Sequence, residues 1–106
     1  MNTYFEKKVY SACAMIPKGK VSTYSDIAKK IGSPKSARAV GNALNKNPRS
    51  KSRVPCHRVV RSDGSVGGYA HGRTRKISLL RREGIKIRSS CVVDILRYRY
   101  APLVTP

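Results

Sequence analysis

The sequence predicts a mainly α fold. A small winged helix-turn-helix domain of three to four helices would carry its one chemically unusual segment on a short β-hairpin. Three observations predict this. Two short amphipathic helices flank the tight turn Gly32-Ser33-Pro34, the outline of a helix-turn-helix. The chain has 106 residues, enough for one domain with a modest core. Lys plus Arg is 23 and Asp plus Glu is 5, a net charge of +18. Phosphate is the natural counterpart of such a field. With 40% hydrophobic residues the chain is globular rather than a disordered basic tail.

The elements follow in order. Phe5, Val9, Ala12, Cys13 and Ile16 recur at helical spacing and predict an amphipathic helix over 3–16. Pro17-Lys18-Gly19-Lys20 stops it. Thr23-Tyr24-Ser25-Asp26 has the form of a capping box and opens a second helix with Ile27, Ala28 and Ile31 inward. Gly32 ends it in left-handed geometry. Ser33-Pro34 starts the third helix, with Ala37, Val40, Gly41 and Leu44 as its buried stripe, and Asn47-Pro48 ends it. Val59-Val60 and Ser65-Val66 flank Ser62-Asp63-Gly64, a hairpin signal. Ile77, Leu79 and Leu80 belong to a fourth helix, about 73–83, stopped by Gly84. The domain so read covers 1–87. Residues 88–106 form a tail whose Val92, Val93, Ile95 and Leu96 are expected to pack on it as a short helix or strand.

Charge and cysteine usage narrow the function classes. No acidic residue lies between Asp26 and Asp63, a stretch rich in lysine and arginine, and Arg73, Arg75, Lys76, Arg81 and Arg82 form a second basic group. A nucleic-acid partner is expected. No run reaches the roughly 18 apolar residues that cross a membrane, and residues 1–8 lack the apolar stretch of a secretory signal. The chain is therefore expected to be cytoplasmic, or nuclear if its source has a nucleus. Three cysteines, Cys13, Cys56 and Cys91, cannot all pair within one chain, which suits a reducing compartment. There is no CxxC, and His57 and His71 lie too far apart for a zinc finger, so no metal or cofactor is expected.

One segment can carry chemistry: Val54-Pro55-Cys56-His57-Arg58-Val59-Val60. A cysteine among a histidine and arginines lies in a field that favours thiolate, a strong nucleophile. On the residues alone, the preferred reading of Cys56 is a small buried hydrophobe. Adjacent strand residues also face opposite ways, so His57 would reach Cys56 only through a water or another turn geometry.

With Ser62-Asp63-Gly64-Ser65-Val66-Gly67-Gly68-Tyr69 added, the segment resembles the active-site segment of O6-alkylguanine-DNA alkyltransferases. Val21-Ser22-Thr23-Tyr24-Ser25-Asp26-Ile27-Ala28 looks like that family's entry to its helix-turn-helix. Ser36-Ala37-Arg38-Ala39-Val40-Gly41 looks like its recognition helix, and Leu79-Leu80-Arg81-Arg82-Glu83-Gly84 like its last helix. The blocks run in order over about 3–87, and they reverse the preference at Cys56.

The resemblance implies a role for each matching position. Cys56 would accept the alkyl group, His57 would take the thiol proton through a water, and Glu83 would orient His57. Tyr24 would press on the DNA backbone and donate a proton to the departing guanine. Arg38 would fill the stack left by the flipped base. Thr23, Lys35, Ala37, Ala39 and Gly41 would meet DNA, the small residues (with Ala43) allowing close, minor-groove approach. Asn47 would brace the turn holding the active-site strand. Val59, Tyr69, Ala70 and Arg58 would line or support the base pocket. The implied partner is duplex DNA containing O6-alkylguanine, bound by a monomer, without cofactor or membrane. Each role has an ordinary rival: Tyr24 packing at a helix start, Arg38 on phosphate only, Asn47 as a helix stop, Glu83 in a surface ion pair.

The chain departs from the family pattern in three places. Only about two residues precede the first helix, so the family's N-terminal domain and any zinc site there are expected to be missing. The tail, or a separate or fused partner domain, would then cover the exposed surface. The stretch 48–54 is basic where relatives place apolar residues, and His71 stands in a pocket loop that often holds a small residue. Competing functions are a lesion-binding relative without transfer, a basic winged-helix module with an inert cysteine, and a cysteine hydrolase. Lesion-binding relatives replace the cysteine, and no oxyanion-hole pattern supports a hydrolase.

Overall fold

A computed structural model describes residues 3–46 and 54–100. The elements run α1 (Thr3–Ala14), β1 (Ser22–Thr23), α2 (Tyr24–Lys30), α3 (Ala37–Lys46), a 3-10 turn (Cys56–Arg58), β2 (Val59–Val60), α4 (Arg73–Arg82), β3 (Ile87–Arg88), β4 (Cys91–Val92) and α5 (Ile95–Tyr98). The fold is mainly helical, as the periodicity predicts, and its small hairpin lies later in the chain than expected. Among the described residues no helix is long and apolar enough to cross a membrane.

Two apolar clusters build it. Val9, Cys13, Ile16, Ile27, Ala28, Val40 and Leu44 join α1, α2 and α3. Val21, Val66, Leu80, Ile85, Ile87 and Val92 tie α4 to the β3–β4 hairpin. β2 is the seam between them. Neighbouring strand residues point to opposite faces, so Val59 enters the first cluster and Val60 the second.

Local chemistry fixes the helix-turn-helix. Thr23 Oγ1 accepts the Asp26 N–H at 3.0 Å, capping α2. Gly32 adopts φ +81°, where glycine avoids a Cβ clash. The third helix begins at Ala37, later than Ser33-Pro34 suggests. The Ser36 N–H bonds Ser33 O in a separate turn, and the first helical bond runs from the Val40 N–H to Ser36 O. Ala43 is buried in the core rather than facing outward. α1 ends at Ala14 rather than residue 16, because the N–H groups of Met15 and Ile16 bond back only three residues.

The strand pairing also differs from expectation. The chain does reverse at 61–65, where the Arg61 N–H bonds Ser65 O. Yet β2 pairs in parallel with β1, Ser22 opposite Val59 and Thr23 opposite Val60. The parallel register buries both valines, which a two-stranded local hairpin would leave half in water. The antiparallel hairpin is β3–β4, Ile87 opposite Val92. Beyond it, the Val21 N–H bonds Tyr98 O at 2.8 Å, the Tyr100 N–H bonds Val21 O at 2.6 Å, and Arg99 grips Asp26 through two bonds. Residues 88–100 thus pack on the helical body.

Candidate active site

Cys56, His57 and Arg58 occupy the 3-10 turn just before β2. Successive residues on such a turn are about 120° apart rather than on opposite faces. This removes the geometric objection to a cysteine and its neighbouring histidine acting on one site. Cys56 and His57 are both buried, 5% and 6% exposed.

Glu83, just after α4, organises the turn. His57 Nε2 lies 2.8 Å from Glu83 Oε2. Arg58 lays its guanidinium fork along the same carboxylate, at 2.9 and 2.8 Å, and its Nη1 donates to Ile16 O at 2.8 Å. Burial would raise the Glu83 pKa, but the hydrogen bonds from Arg58 and His57 prevail and hold the carboxyl below its usual range. Burial pushes His57 below its usual value even against the pull of Glu83. A neutral ring that donates its Nε2 proton to Glu83 leaves a lone pair on Nδ1, a tautomer assigned from the network. That nitrogen can accept a proton. The carboxylate thus pairs with His57 and Arg58, not with Arg81 or Arg82.

Lys76 is the neighbour that sequence reasoning missed. Its side chain is fully buried. Nζ donates to Val59 O at 2.6 Å, Gly68 O at 3.0 Å and the Tyr24 hydroxyl at 3.3 Å. Burial lowers its pKa to about 7. The Tyr24 hydroxyl in turn donates to Gly68 O at 3.4 Å. A Cβ on Gly67 would crowd that hydroxyl at 3.1 Å, and the φ of +71° favours glycine as well. The one sequence signal for Lys76 is its place four residues before buried Leu80 on α4.

Tyr24 also floors a surface groove of about 410 Å³ between α3 and the loop after β2, lined by Ala37, Arg38, Gly41, Arg61 and Gly68. Arg38, Ala39 and Lys35 are exposed, whereas Ala37 and Gly41 are half-buried. Gly41 backs onto the Tyr24 ring.

Comparison with known proteins shows the family. Residues 4–85 match the family model described as 6-O-methylguanine DNA methyltransferase, DNA binding domain. The chain belongs to that family. A methylated-DNA–protein-cysteine methyltransferase of Methanosarcina acetivorans is 50% identical over 82 residues, covering 77% of this chain and 52% of that relative. The chain spans about half the length, or less, of the first curated relatives it matches. S. pombe Atl1, solved in complex with damaged DNA containing O6-carboxymethylguanine, superposes with a TM-score of 0.83 at 35% identity, covering 96% of this chain and 99% of that one. Mycobacterium tuberculosis OGT in complex with DNA gives 0.73 at 43% identity, covering 78% and 51%.

In this methyltransferase-family domain the turn before β2 and the residue after α4 bring Cys56, His57, Arg58 and Glu83 together. Tyr24 and Arg38 line one groove. Thr23, expected at the DNA surface, is 1% exposed because its hydroxyl caps α2. The Val59 side chain is in the core, and only its carbonyl, bonded to Lys76, faces the site. Tyr69 is half-buried with its ring 5.3 Å from that of His71, and Ala70 is exposed. Asn47 and the basic stretch 48–53 lie outside the described residues.

Proposed function

We propose that this chain is a DNA-repair protein that transfers the alkyl group of an O6-alkylguanine in duplex DNA to its own Cys56. The observation that carries the reading is a buried cysteine followed on one 3-10 turn by a neutral histidine anchored to Glu83. This is a nucleophile, a base and an orienter.

The reacting carbon lies inside the duplex, so the nucleotide must rotate out, at a cost of a few kcal/mol. Arg38, exposed on α3, fills the gap, and Lys35 and Arg61 hold phosphate nearby. Ala37, Ala39 and Gly41 let α3 approach closely in the minor groove. Tyr69, Ala70 and the Val59 backbone line the pocket, and Asn47 braces the turn before it. The Cys56 proton passes through a water to His57 Nδ1. The sulfur then displaces guanine at the alkyl carbon: the S–C bond forms, the C–O6 bond breaks, and its electrons leave with the guanine. Tyr24 supplies the compensating proton and is supported by Lys76. A thioether cannot expel the alkyl group, so each molecule acts once. No cofactor enters this scheme. The protein acts as a monomer, and a separate or fused partner domain is compatible with its length.

A second reading has its own support. The Atl1 superposition spans nearly all of both chains, which favours lesion binding without transfer. Cys56 favours transfer. The two separate on intact-protein mass after incubation with a duplex carrying one O6-methylguanine. We expect a single methyl gain, stoichiometric and abolished in Cys56→Ala. No gain, with tighter binding to the damaged duplex than to an undamaged one, would establish the lesion-binding reading. Equal binding to both would leave a basic DNA-binding module.

A further inference from the structure

One carboxylate serves two cationic side chains at the site. Glu83 follows α4, while Arg58 and His57 lie on the 3-10 turn before β2. The carboxylate receives the Arg58 fork at 2.9 and 2.8 Å and faces His57 Nε2 at 2.8 Å. The remaining arm of Arg58 donates to Ile16 O at 2.8 Å, and the Gly19 N–H donates to Glu83 Oε1 at 3.4 Å. The loop after α1 thus pins both members of the ion pair. The His57, Glu83 and Arg58 side chains are 8%, 10% and 16% exposed, so their charges meet one another more than they meet water.

Charge decides how these three groups behave. A guanidinium is always charged, and its planar fork matches a carboxylate. Glu83 offers one negative charge, and Arg58 takes it. What remains for His57 is a lone pair to receive its Nε2 proton, not a charge to balance an imidazolium. A second proton on the ring would set His57, Arg58 and, from α4, Lys76 against a single anion. Cys56 shares the turn. Tyr10 and Cys13 of α1 pack in the same cluster, and both hold their protons more firmly than free side chains. Burial first, and then the Arg58 and Lys76 charges, keep His57 below its usual value against the pull of Glu83.

We propose that Arg58 is a positioning residue for the base: it takes the charge of Glu83, so that His57 stays neutral and its Nδ1 can accept the Cys56 proton. The proposal rests on the reading of Cys56 as the alkyl acceptor and of His57 as its base. Without the guanidinium, Glu83 becomes the counter-ion of an imidazolium, and a protonated ring accepts nothing.

The test needs no DNA. The His57 ring is titrated by NMR from about pH 4.5 to about pH 9. Exposed His71, the other histidine of the chain, serves as the internal standard. Arg58→Met removes the charge and keeps much of the length; Arg58→Lys keeps the charge. We expect Arg58→Met to raise the His57 midpoint by about one to two pH units, roughly tenfold or more in proton affinity. Arg58→Lys should stay close to the parent. An unchanged midpoint in Arg58→Met would overturn the proposal, as would an equal rise in both variants, which is a loosened and wetter site. Should Arg58→Met fail to fold by circular dichroism, Arg58→Met/Glu83→Gln decides, since it removes both charges and keeps an acceptor for Nε2. A parent-like midpoint there supports the cancellation of charge, and a lower one overturns it. A chain with the expected midpoints that gains no methyl mass from damaged duplex keeps the charge pairing and loses the transfer reading.

Discussion

Lys76 is an ammonium placed where water cannot reach it, bonded to two carbonyl oxygens and a phenol. Its pKa near 7 is a statement about stability. Above about pH 7 the folded chain has begun to lose this proton, while the unfolded chain holds it to about pH 10.4. The unfolded state then binds more protons, so stability rises with pH from about 7. Cys13, Tyr10 and Tyr24 oppose this at higher pH, because the fold raises their values and the unfolded chain ionises first. The window is therefore about pH 7 to 8.5. Urea unfolding should show a gain of roughly 1–2 kcal/mol across it, and Lys76→Met should remove the gain. A slope that survives in Lys76→Met would assign it to another group. Cys56, His57 and Glu83 were legible because a cysteine, a histidine and a late glutamate fall inside recognisable blocks. Lys76 was not, since one lysine in a basic helix looks like any other until burial is known. The grip of Arg58 on Glu83 was hidden for a related reason: it joins residues 25 apart, and spacing along a chain does not encode such contacts.

The elements show where local rules suffice. Thr23 and Gly32 bound α2 through a side-chain cap and a left-handed residue, both readable from the letters. The hairpin at 87–92 was missed because its turn residues are Ser89 and Ser90, not the Asn-Gly or Asp-Gly that signals such a turn. Both have positive φ, 52° and 60°, as a type I′ turn requires. Non-glycine residues there carry strain. Ser90→Gly relieves roughly 1–2 kcal/mol of left-handed strain and costs roughly 0.5–1 kcal/mol of unfolded-chain entropy, so a net gain of about 0.5–1 kcal/mol is expected, read as a higher urea midpoint at unchanged slope. An unchanged or lower midpoint would mean that the serine contributes more than its backbone costs. β2 was legible as a strand, but its partner was not: β1 lies far upstream, and apolar alternation names a face, not a neighbour.

At the scale of the molecule, the carboxylates are largely occupied internally. Glu6 faces Lys46, Asp26 is held by Arg99, and Glu83 by Arg58 and His57. Little negative charge remains to offset the exposed Lys29, Lys30, Lys35, Arg38 and Arg61. Duplex binding should therefore weaken steeply with salt, and Lys35→Ala should reduce the log–log slope by about 0.9 for one lost phosphate contact. Arg38→Ala should instead weaken damaged duplex more than undamaged duplex, if its side chain fills the vacated stack. Equal losses on both duplexes, measured by anisotropy, would reduce Arg38 to a phosphate contact.

The short parallel ladder beside the site has a neighbour on each side. β2 covers one flank of the Val21–Thr23 stretch, and residues 98–100 cover the other through Val21. An open β-edge would offer its free N–H and C=O groups to another chain. Here the last described residues occupy that edge, a few residues from Tyr24. A chain shortened before residue 98 would uncover a template for intermolecular pairing at the rim of the groove proposed to receive DNA.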